Sequence, residues 1–244
     1  LMDDKSYLGG STIYQDDDIF KINNETSNVW LKNQIDKLKK IPNLTIKNRT
    51  SVAAFHGYNY LLARENLTDH LGAHERKGKI RQRLLKIRAK KVVIATGAIE
   101  RPLIFNNNDR PGIILSSSIK KYIDYYGVKT GENISLFTNN DSAYETAISL
   151  NKSGVKVKVI IDIRENPSSI LSEKIEKAGI KILRGHTITN TDGYKRIKSI
   201  DVMKLSKDGE NVVGKKITYK CDCLGISGGW TPMVHLFTQS GGKL

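Results

Sequence analysis

Apolar residues recur along the chain with spacings that predict a series of helices and strands. Near the N-terminus, one stripe with helical spacing predicts a helix that Ser27 can cap and Pro42 ends; its members are Trp30, Leu31, Ile35, Leu38 and Ile41. Alternating or continuous apolar runs predict strands at 44–46, 51–55, 58–63, 84–89 and 90–98. Because the last run, "KKVVIATGA", is continuous, we expect a strand that is buried on both faces.

Beyond a segment rich in Asn, Pro and Gly at 101–112, predicted helices and strands alternate. Helices are expected at 116–126, before Gly154 and at 168–178, with strands at 133–137, 155–163 and 180–183. This alternation indicates β-α-β units around a parallel sheet. The stretch 187–221 alternates like a small antiparallel meander, and 221–232 is expected to return the chain to the first block.

These elements predict an α/β fold of two Rossmann-like, three-layer domains with a small antiparallel meander. The first predicted domain comprises residues 1–105 and 222–244, and the second comprises residues 106–221. The first is expected to be incomplete at its N-terminus, because no Gly-rich phosphate loop precedes its acidic strand end.

The segment "FTNNDSAYETA", residues 137–147, lies where a dinucleotide-binding fold keeps its Gly-rich phosphate loop. Thr138 and Asn140 stand where that loop needs glycine, so their side chains are expected to enter the space of the pyrophosphate. Asp162 follows about 20 residues later, the usual offset of a ribose-binding carboxylate. We therefore expect the second domain to keep its β-α-β fold without binding NADH, which leaves Asp162 with no ligand.

Composition excludes several classes of protein. No run reaches the roughly 18 consecutive apolar residues of a membrane span, and the first residues lack the features of a signal peptide, so we expect a cytoplasmic protein without a membrane partner. Cys221 and Cys223 would point to opposite faces of a predicted strand and are expected to be structural thiols. The five histidines lack metal-site spacing, and no metal is expected.

The net charge of +15 raises the question of nucleic-acid binding. The most basic segment, residues 75–91, alternates apolar with basic side chains, which is the pattern of a half-buried strand with a solvated face. The rest of the charge is spread evenly, and no RNA- or DNA-binding motif is present. We expect no nucleic-acid partner; an anionic partner subunit or cofactor fits the charge better.

Several segments, in this order along the chain, indicate a family. "DDKSYLGGS" resembles the end of the second strand in flavoproteins with two dinucleotide domains, "VVIATGAIERP" resembles their strand-to-loop A-T-G segment, and "NDSAYETA" resembles the loop of their pyridine-nucleotide domain with its glycines replaced. Longer segments, 92–128, 136–147 and 221–244, resemble the alpha subunits of heterotetrameric sarcosine oxidases. This resemblance covers essentially the whole chain.

The resemblance implies NAD in the first domain. Asp3 stands where a carboxylate accepts both ribose hydroxyls of an adenosine and repels the 2′-phosphate of NADP. The implied cofactor-binding residues are Asp3, Asp4, Lys5, Gly10 and Ser11 around the adenosine, Val52 near the adenine, and Thr96, Gly97 and Ala98 at the strand end that closes the pocket. The residues alone also allow a solvated acidic terminus at Asp3 and Asp4, a tight turn at Gly97, and a turn with a core tryptophan at Gly228, Gly229 and Trp230.

The resemblance also implies an activity, which is the oxidative demethylation of sarcosine to glycine. Electrons would pass through flavins, FMN and FAD in the assembled complex, to oxygen, and the one-carbon unit would pass to tetrahydrofolate. The implied partners are the beta, gamma and delta subunits and a small-molecule amine. We name no catalytic residue, because the resemblance places amine oxidation in the beta subunit. Alternatives are the alpha subunit of an opine-, proline- or glycine-oxidising flavin dehydrogenase, and a non-catalytic scaffold that holds a nucleotide.

In this family a G-x-G-x-x-G loop precedes the acidic strand end and a folate-binding region follows far downstream, and the chain contains neither. The expectation is an internal fragment. Expressed alone, it should be poorly soluble and should not retain NAD, because a dinucleotide sheet without its central strand exposes apolar edges.

Overall fold

A computed structural model describes residues 1–167 and 169–243. The chain divides into two compact units, one formed by residues 1–97 and 232–243 and the other by residues 98–231. No helix within the described residues is both long and apolar enough to cross a membrane.

The first unit combines one amphipathic helix with an antiparallel sheet. A 3-10 helix (Gly10–Tyr14) is followed by a ribbon of β1 (Lys21–Ile22) and β2 (Glu25–Thr26), by helix α1 (Ser27–Lys39) and by the strands β3 (Thr50–His56) and β4 (Tyr60–Asn66). A short helix α2 (Ala73–Arg76) and strand β5 (Gln82–Arg88) come next, and a helix at His235–Gln239 ends the unit. The sheet order is β3-β4-β5. The predicted helix and three of the predicted strands are confirmed, but Thr26 rather than Ser27 occupies the N-cap position of the helix.

Two predicted strands of this unit are wrong. Residues 44–46 are not a strand, although Lys47 forms a single parallel bridge with Met2. The run 90–97 is not a strand either, and Val93 is 92% exposed. A continuous apolar run becomes a central strand only where neighbouring strands pair with both of its edges, and no described residue pairs with this run as a strand. The predicted three-layer parallel arrangement is therefore not seen in the described part of this unit.

The second unit is built around a parallel sheet. Its first half contains β6 (Ala98–Glu100), β7 (Ile113–Leu115), α3 (Ser116–Asp124), β8 (Asn133–Thr138), α4 (Ser142–Lys152), β9 (Lys156–Asp162), α5 (Ile170–Lys177) and β10 (Ile182–Arg184). The second half contains β11 (His186–Asp192), β12 (Ser199–Leu205), β13 (Val212–Lys220), β14 (Cys223–Ser227) and β15 (Trp230–Pro232). The parallel sheet has the order β10-β9-β8-β14-β7, and β11, β12 and β13 form a separate antiparallel sheet.

Alternating side chains of β8 and β9 build a core on each face of the parallel sheet. On one face, Ile134, Leu136 and Ile160 pack with residues of α3, α4 and α5, among them Ile119, Tyr144, Leu150 and Ile175. On the other face, Phe137, Val159 and Ile161 pack with residues of the antiparallel sheet, among them Ile188, Ile200 and Val202. Each fully buried apolar side chain contributes about 1.5–3 kcal/mol through its removal from water. This unit therefore has the predicted three layers and the predicted meander.

The second unit differs from its predicted bounds at both ends. Segment 222–232 was expected to return to the first unit, but β14 pairs with β8 on one side and with β7 on the other. Its sequence "CLGIS" is fully buried, as suits a central parallel strand. The chain then crosses back near residue 232, and residues 98–105 also belong to the second unit. The predicted start of α5 at residue 168 lies outside the described residues, as does residue 244.

Candidate functional site

Asp3 lies at the end of an extended segment beside the start of β3. Its backbone N–H donates to Lys47 O at 3.0 Å, and its carbonyl accepts from Thr50 N at 2.8 Å. The carboxylate oxygen Oδ1 accepts from Lys5 N at 2.8 Å. In the described residues no donor reaches the second oxygen, Oδ2. The half-buried carboxylate is thus fixed in place and keeps an oxygen for an external hydroxyl donor.

Asp4 and Lys5 form an ion pair at the surface next to Asp3. Lys5 Nζ lies 2.8 Å from Asp4 Oδ2, and both side chains are about half exposed, 47% and 56%. The Lys5 carbonyl accepts from Arg49 N at 2.7 Å, which holds this segment against the chain leading into β3. Because exposed pairs contribute little to stability, these two side chains can rearrange toward a ligand at low cost.

Two glycines with left-handed backbone lead into the 3-10 helix. Gly9 and Gly10 have φ values of +111° and +55°, which is left-handed backbone that favours glycine. Gly9 also packs on α1, since an added Cβ would lie 2.5 Å from Leu31 Cδ2. Ser11 is exposed in the 3-10 helix that starts at Gly10. The structure therefore explains Gly9 by packing and leaves Gly10 and Ser11 on the surface.

The remaining sequence-predicted site residues fall in three places. Val52 is half-buried on β3, two residues beyond the Thr50 amide that bonds Asp3. Thr96 Oγ1 donates to Met233 O at 2.7 Å, and Gly97 O accepts from Met233 N at 2.9 Å. Gly97 has a φ of +70° and open space around its missing Cβ, so its backbone conformation alone accounts for the glycine. Ala98 is exposed at the start of β6, in the second unit.

The loop between β8 and α4 is closed by its own side chains. Thr138 Oγ1 accepts from Asn140 N at 3.0 Å and donates to Asn140 O at 2.7 Å. The Asn140 amide spans the loop, because its Oδ1 accepts from Ser142 N at 3.0 Å and its Nδ2 donates to Ser227 O at 3.2 Å. Asn140, which precedes the N-cap residue Asp141, thus bonds the first amide of α4 and ties it to the end of β14. The missing glycines are replaced by an ordered hydrogen-bond network.

Asp162, at the end of β9, is fully buried and is bound by two other side chains. Its Oδ2 accepts from Tyr144 Oη at 2.6 Å and from Arg164 Nη2 at 2.8 Å, and its Oδ1 accepts from Arg164 N at 2.8 Å. Arg164 Nη2 also donates to Asp141 Oδ1 at 2.7 Å. Arg164 therefore lies between two carboxylates, with its side chain 35% exposed.

These contacts shift the titration of both partners of Asp162. Burial raises the pKa of the Tyr144 phenol well above its usual range, and the hydrogen bond to Asp162 raises it further. Hydrogen bonds to Asp162 raise the pKa of the Arg164 guanidinium. Neither Tyr144 nor Arg164 is among the site residues predicted from the sequence. The available signals were an arginine two residues beyond the expected ribose carboxylate and a tyrosine inside "NDSAYETA".

The turn after β14 brings an indole to the same loop. Trp230 Nε1 donates to Ser142 Oγ at 2.8 Å. Gly228 is needed for close approach, since an added Cβ would lie 2.8 Å from Pro102 O. The sequence slightly favoured a core tryptophan over a contact with a partner subunit, and the core position is wrong because Trp230 is 47% exposed. The indole ring covers the start of α4 while keeping one side in solvent.

Tyr144 gives a direct test of this buried cluster. Its folded pKa lies above the unfolded value of about 10, so its hydrogen bond stabilises the fold below about pH 10 and is lost as pH rises through the folded value. Ultraviolet titration of the full-length protein and its Tyr144→Phe variant should show the same number of tyrosines ionising below about pH 11. Loss of a group titrating near pH 10 in Tyr144→Phe would contradict the buried hydrogen bond.

Among the described residues, no group of three or more His, Cys, Asp or Glu side chains could hold a metal ion. Burial raises the pKa of the Cys221 thiol to about 12, and burial also raises the pKa of Cys223. Both cysteines are free and buried, so both are held as thiols rather than as reactive thiolates. This fits the expectation of structural cysteines.

No known protein-family model matches the sequence, but the chain is similar to named proteins over its whole length. It is 35% identical over 246 aligned residues to "Sarcosine oxidase subunit alpha" of Corynebacterium sp. (strain P-1), and the alignment covers 100% of this chain and 25% of that protein. The resemblance to sarcosine oxidase alpha subunits is confirmed. The protein of the same name from Corynebacterium sp. (strain U-96) is 36% identical over 215 residues, which is 88% of this chain and 22% of that protein. The chain spans about a quarter of the length of these relatives.

Solved oxidoreductase structures share the fold. L-Proline dehydrogenase from P. horikoshii aligns with a TM-score of 0.68 at 22% identity, over 100% of this chain and 40% of the other. Thioredoxin reductase from T. acidophilum aligns with a TM-score of 0.70 at 17% identity, over 100% and 72%. A NAD-dependent persulfide reductase from A. fulgidus aligns with a TM-score of 0.64 at 13% identity, over 98% and 42%. At these identities the likeness establishes the fold alone, which is an α/β fold with a parallel sheet.

Proposed function

We propose that the chain is the nucleotide-holding part of a flavin-dependent amine oxidase of the sarcosine oxidase type. The observation that carries this proposal is the similarity to alpha subunits of that enzyme along the whole chain. The reaction is the oxidative demethylation of sarcosine to glycine. The electrons pass through flavin to oxygen, and the one-carbon unit passes to tetrahydrofolate.

The first unit is proposed to hold NAD at Asp3. The carboxylate fits this role because its position is fixed by backbone hydrogen bonds and Oδ2 has no donor in the described residues. A ribose diol needs such an acceptor, and the negative charge disfavours the 2′-phosphate of NADP. Asp4, Lys5, Gly10 and Ser11 follow directly along the chain, and Val52 lies on the adjoining strand. Thr96 and Gly97 are proposed to close the pocket; the assignment of Gly97 has the weaker support, because its turn already explains the glycine.

FMN and FAD are proposed to bind in the assembled complex, with beta, gamma and delta subunits as partners. When bound, the flavins supply the electron transfer. The residues of this chain are proposed to hold NAD and to contact partner subunits, and we assign none of them to the chemical step. The high positive charge of the chain, +15, suits anionic cofactors and acidic partner surfaces.

The alternatives differ in substrate and electron acceptor. A related alpha subunit could serve an opine-, proline- or glycine-oxidising dehydrogenase, and the fold shared with an L-proline dehydrogenase makes proline the substrate to compare with sarcosine. A scaffold that holds a nucleotide would give no turnover at all.

The test uses the full-length protein assembled with its partner subunits. We expect sarcosine to drive oxygen uptake, with one glycine formed for each oxygen consumed, and to give a kcat/KM at least about tenfold above that for proline. Turnover of proline without oxygen uptake would establish the dehydrogenase alternative. Nucleotide retention with no turnover of any of these amines would establish the scaffold.

A further inference from the structure

Every acceptor that a nucleotide ribose would use on Asp162 is already occupied. A carboxylate offers about four lone-pair sites. On Asp162 these sites accept from Tyr144 Oη at 2.6 Å, Arg164 N at 2.8 Å, Arg164 Nε at 3.1 Å and Arg164 Nη2 at 2.8 Å. The Asp162 side chain is also 0% exposed. A ribose diol would therefore have to displace Arg164 or Tyr144 to reach this carboxylate.

The anion-binding end of α4 is occupied in the same way. A helix N-terminus holds phosphate through the free N–H groups of its first turn. Here Ser142 N donates to Asn140 Oδ1 at 3.0 Å, and Tyr144 N donates to Asp141 O at 2.9 Å. Asn140 is itself held by Ser227. An incoming pyrophosphate would meet the Asn140 side chain at Ser142 N and the Asp141 carbonyl at Tyr144 N.

Arg164 connects the two positions. Its guanidinium donates to Asp162 at the end of β9 and to Asp141 at the start of α4. One cation therefore neutralises both carboxylates. Displacing it would leave a carboxylate buried without a cation, which is costly. Glycine at the two loop positions would remove the steric obstacle but not this ion pair.

We propose that Arg164 acts as an internal ligand that fills the nucleotide position of the second unit, and that this arginine, together with the loop residues, excludes dinucleotides from it. Nucleotide binding is then confined to the first unit. This inference stands apart from the proposed function, since it concerns a different carboxylate and holds whichever amine is oxidised.

The test compares variants of the full-length protein by calorimetric titration with NADH. The wild type and the loop variant Thr138→Gly/Asn140→Gly should bind no NADH at the second unit up to about 1 mM. Adding Arg164→Ala to the loop variant should give saturable binding at least about tenfold tighter than in the loop variant. Adding Arg184→Ala to the loop variant instead should give no saturable NADH binding. Arg184 is the control because it lies at the end of β10 and pairs with Glu176 rather than with Asp162.

The triple variant carries Thr138→Gly, Asn140→Gly and Arg164→Ala. The proposal would be overturned if the loop variant and the triple variant bound NADH equally well. It would also be overturned if the triple variant folded but bound no NADH. If the triple variant does not fold, hydrogen exchange of the wild type decides. Peptides covering 137–147 and 160–165 should show unchanged exchange at saturating NADH. Protection of these peptides by NADH would also overturn it.

Discussion

Replacing Arg164 with alanine should lower the free energy of unfolding by about 3 kcal/mol. The change leaves Asp162 fully buried and without a cation, with hydrogen bonds only from Tyr144 Oη and the backbone N–H of residue 164. Breaking a buried ion pair by removing one partner costs about 3–5 kcal/mol. The lower end applies because the Arg164 side chain is 35% exposed and water can reach the gap. Chemical denaturation of the full-length protein, followed through the transition of the second unit, measures the difference.

Arg184→Ala is the matched control. Arg184 ends β10 as Asp162 ends β9, and it forms one ion pair with Glu176 in which both side chains are more than a third exposed, 37% and 47%. Such pairs contribute at most about 1 kcal/mol. Adding Asp162→Asn to Arg164→Ala should restore part of the lost stability, because it removes the uncompensated charge. Equal losses for Arg164→Ala and Arg184→Ala would show that Asp162 does not depend on its guanidinium partner.

Replacing Asp3 with alanine should weaken NAD binding by about 1.5–3 kcal/mol, or about 10- to 150-fold. This is the range for hydrogen bonds to a charged acceptor. The backbone hydrogen bonds of Asp3 to Lys47 and Thr50 do not depend on the side chain, so the fold should be unchanged. NAD content after purification and an equilibrium titration measure the effect. Oxidase turnover should fall less than NAD content, because the nucleotide is proposed to be structural.

Asp36→Ala controls for the loss of one negative charge from the first unit. Asp36 is exposed on α1 and is not one of the predicted NAD-binding residues. This variant should retain NAD at the wild-type level. Unchanged NAD occupancy in Asp3→Ala would remove Asp3 from the site.

The second unit could be predicted from the sequence because its periodicities are strong and local. The runs that became β8, β9 and α4 carry their own burial pattern, so their type and order follow from spacing alone. The position of β14 could not be predicted. Its order in the sheet depends on pairing with strands that lie about a hundred residues earlier, and no local feature encodes that pairing.

The run at 90–97 was predicted to be a strand, and the structure shows that it is not one. Its composition predicts a buried strand, but a strand also needs partners, and Val93 is exposed where no described strand pairs with it. The loop at Thr138 and Asn140 was identified correctly as lacking glycines. The role of Arg164 beside this loop could not be predicted from the sequence. Its side chain reaches Asp141 only after β9 and α4 are packed at the same edge of the sheet.

The measurement that tests the account most directly is the identity of the nucleotide carried by the full-length protein as purified. Denaturation followed by chromatography of the released small molecules separates NAD from NADP and from flavins. We expect about one NAD for each copy of the protein, no NADP, and loss of most of this NAD in Asp3→Ala, since one ribose-binding carboxylate accepts hydroxyls and repels a 2′-phosphate. Release of NADP, or of no pyridine nucleotide at all from an active enzyme, would contradict a NAD site at Asp3.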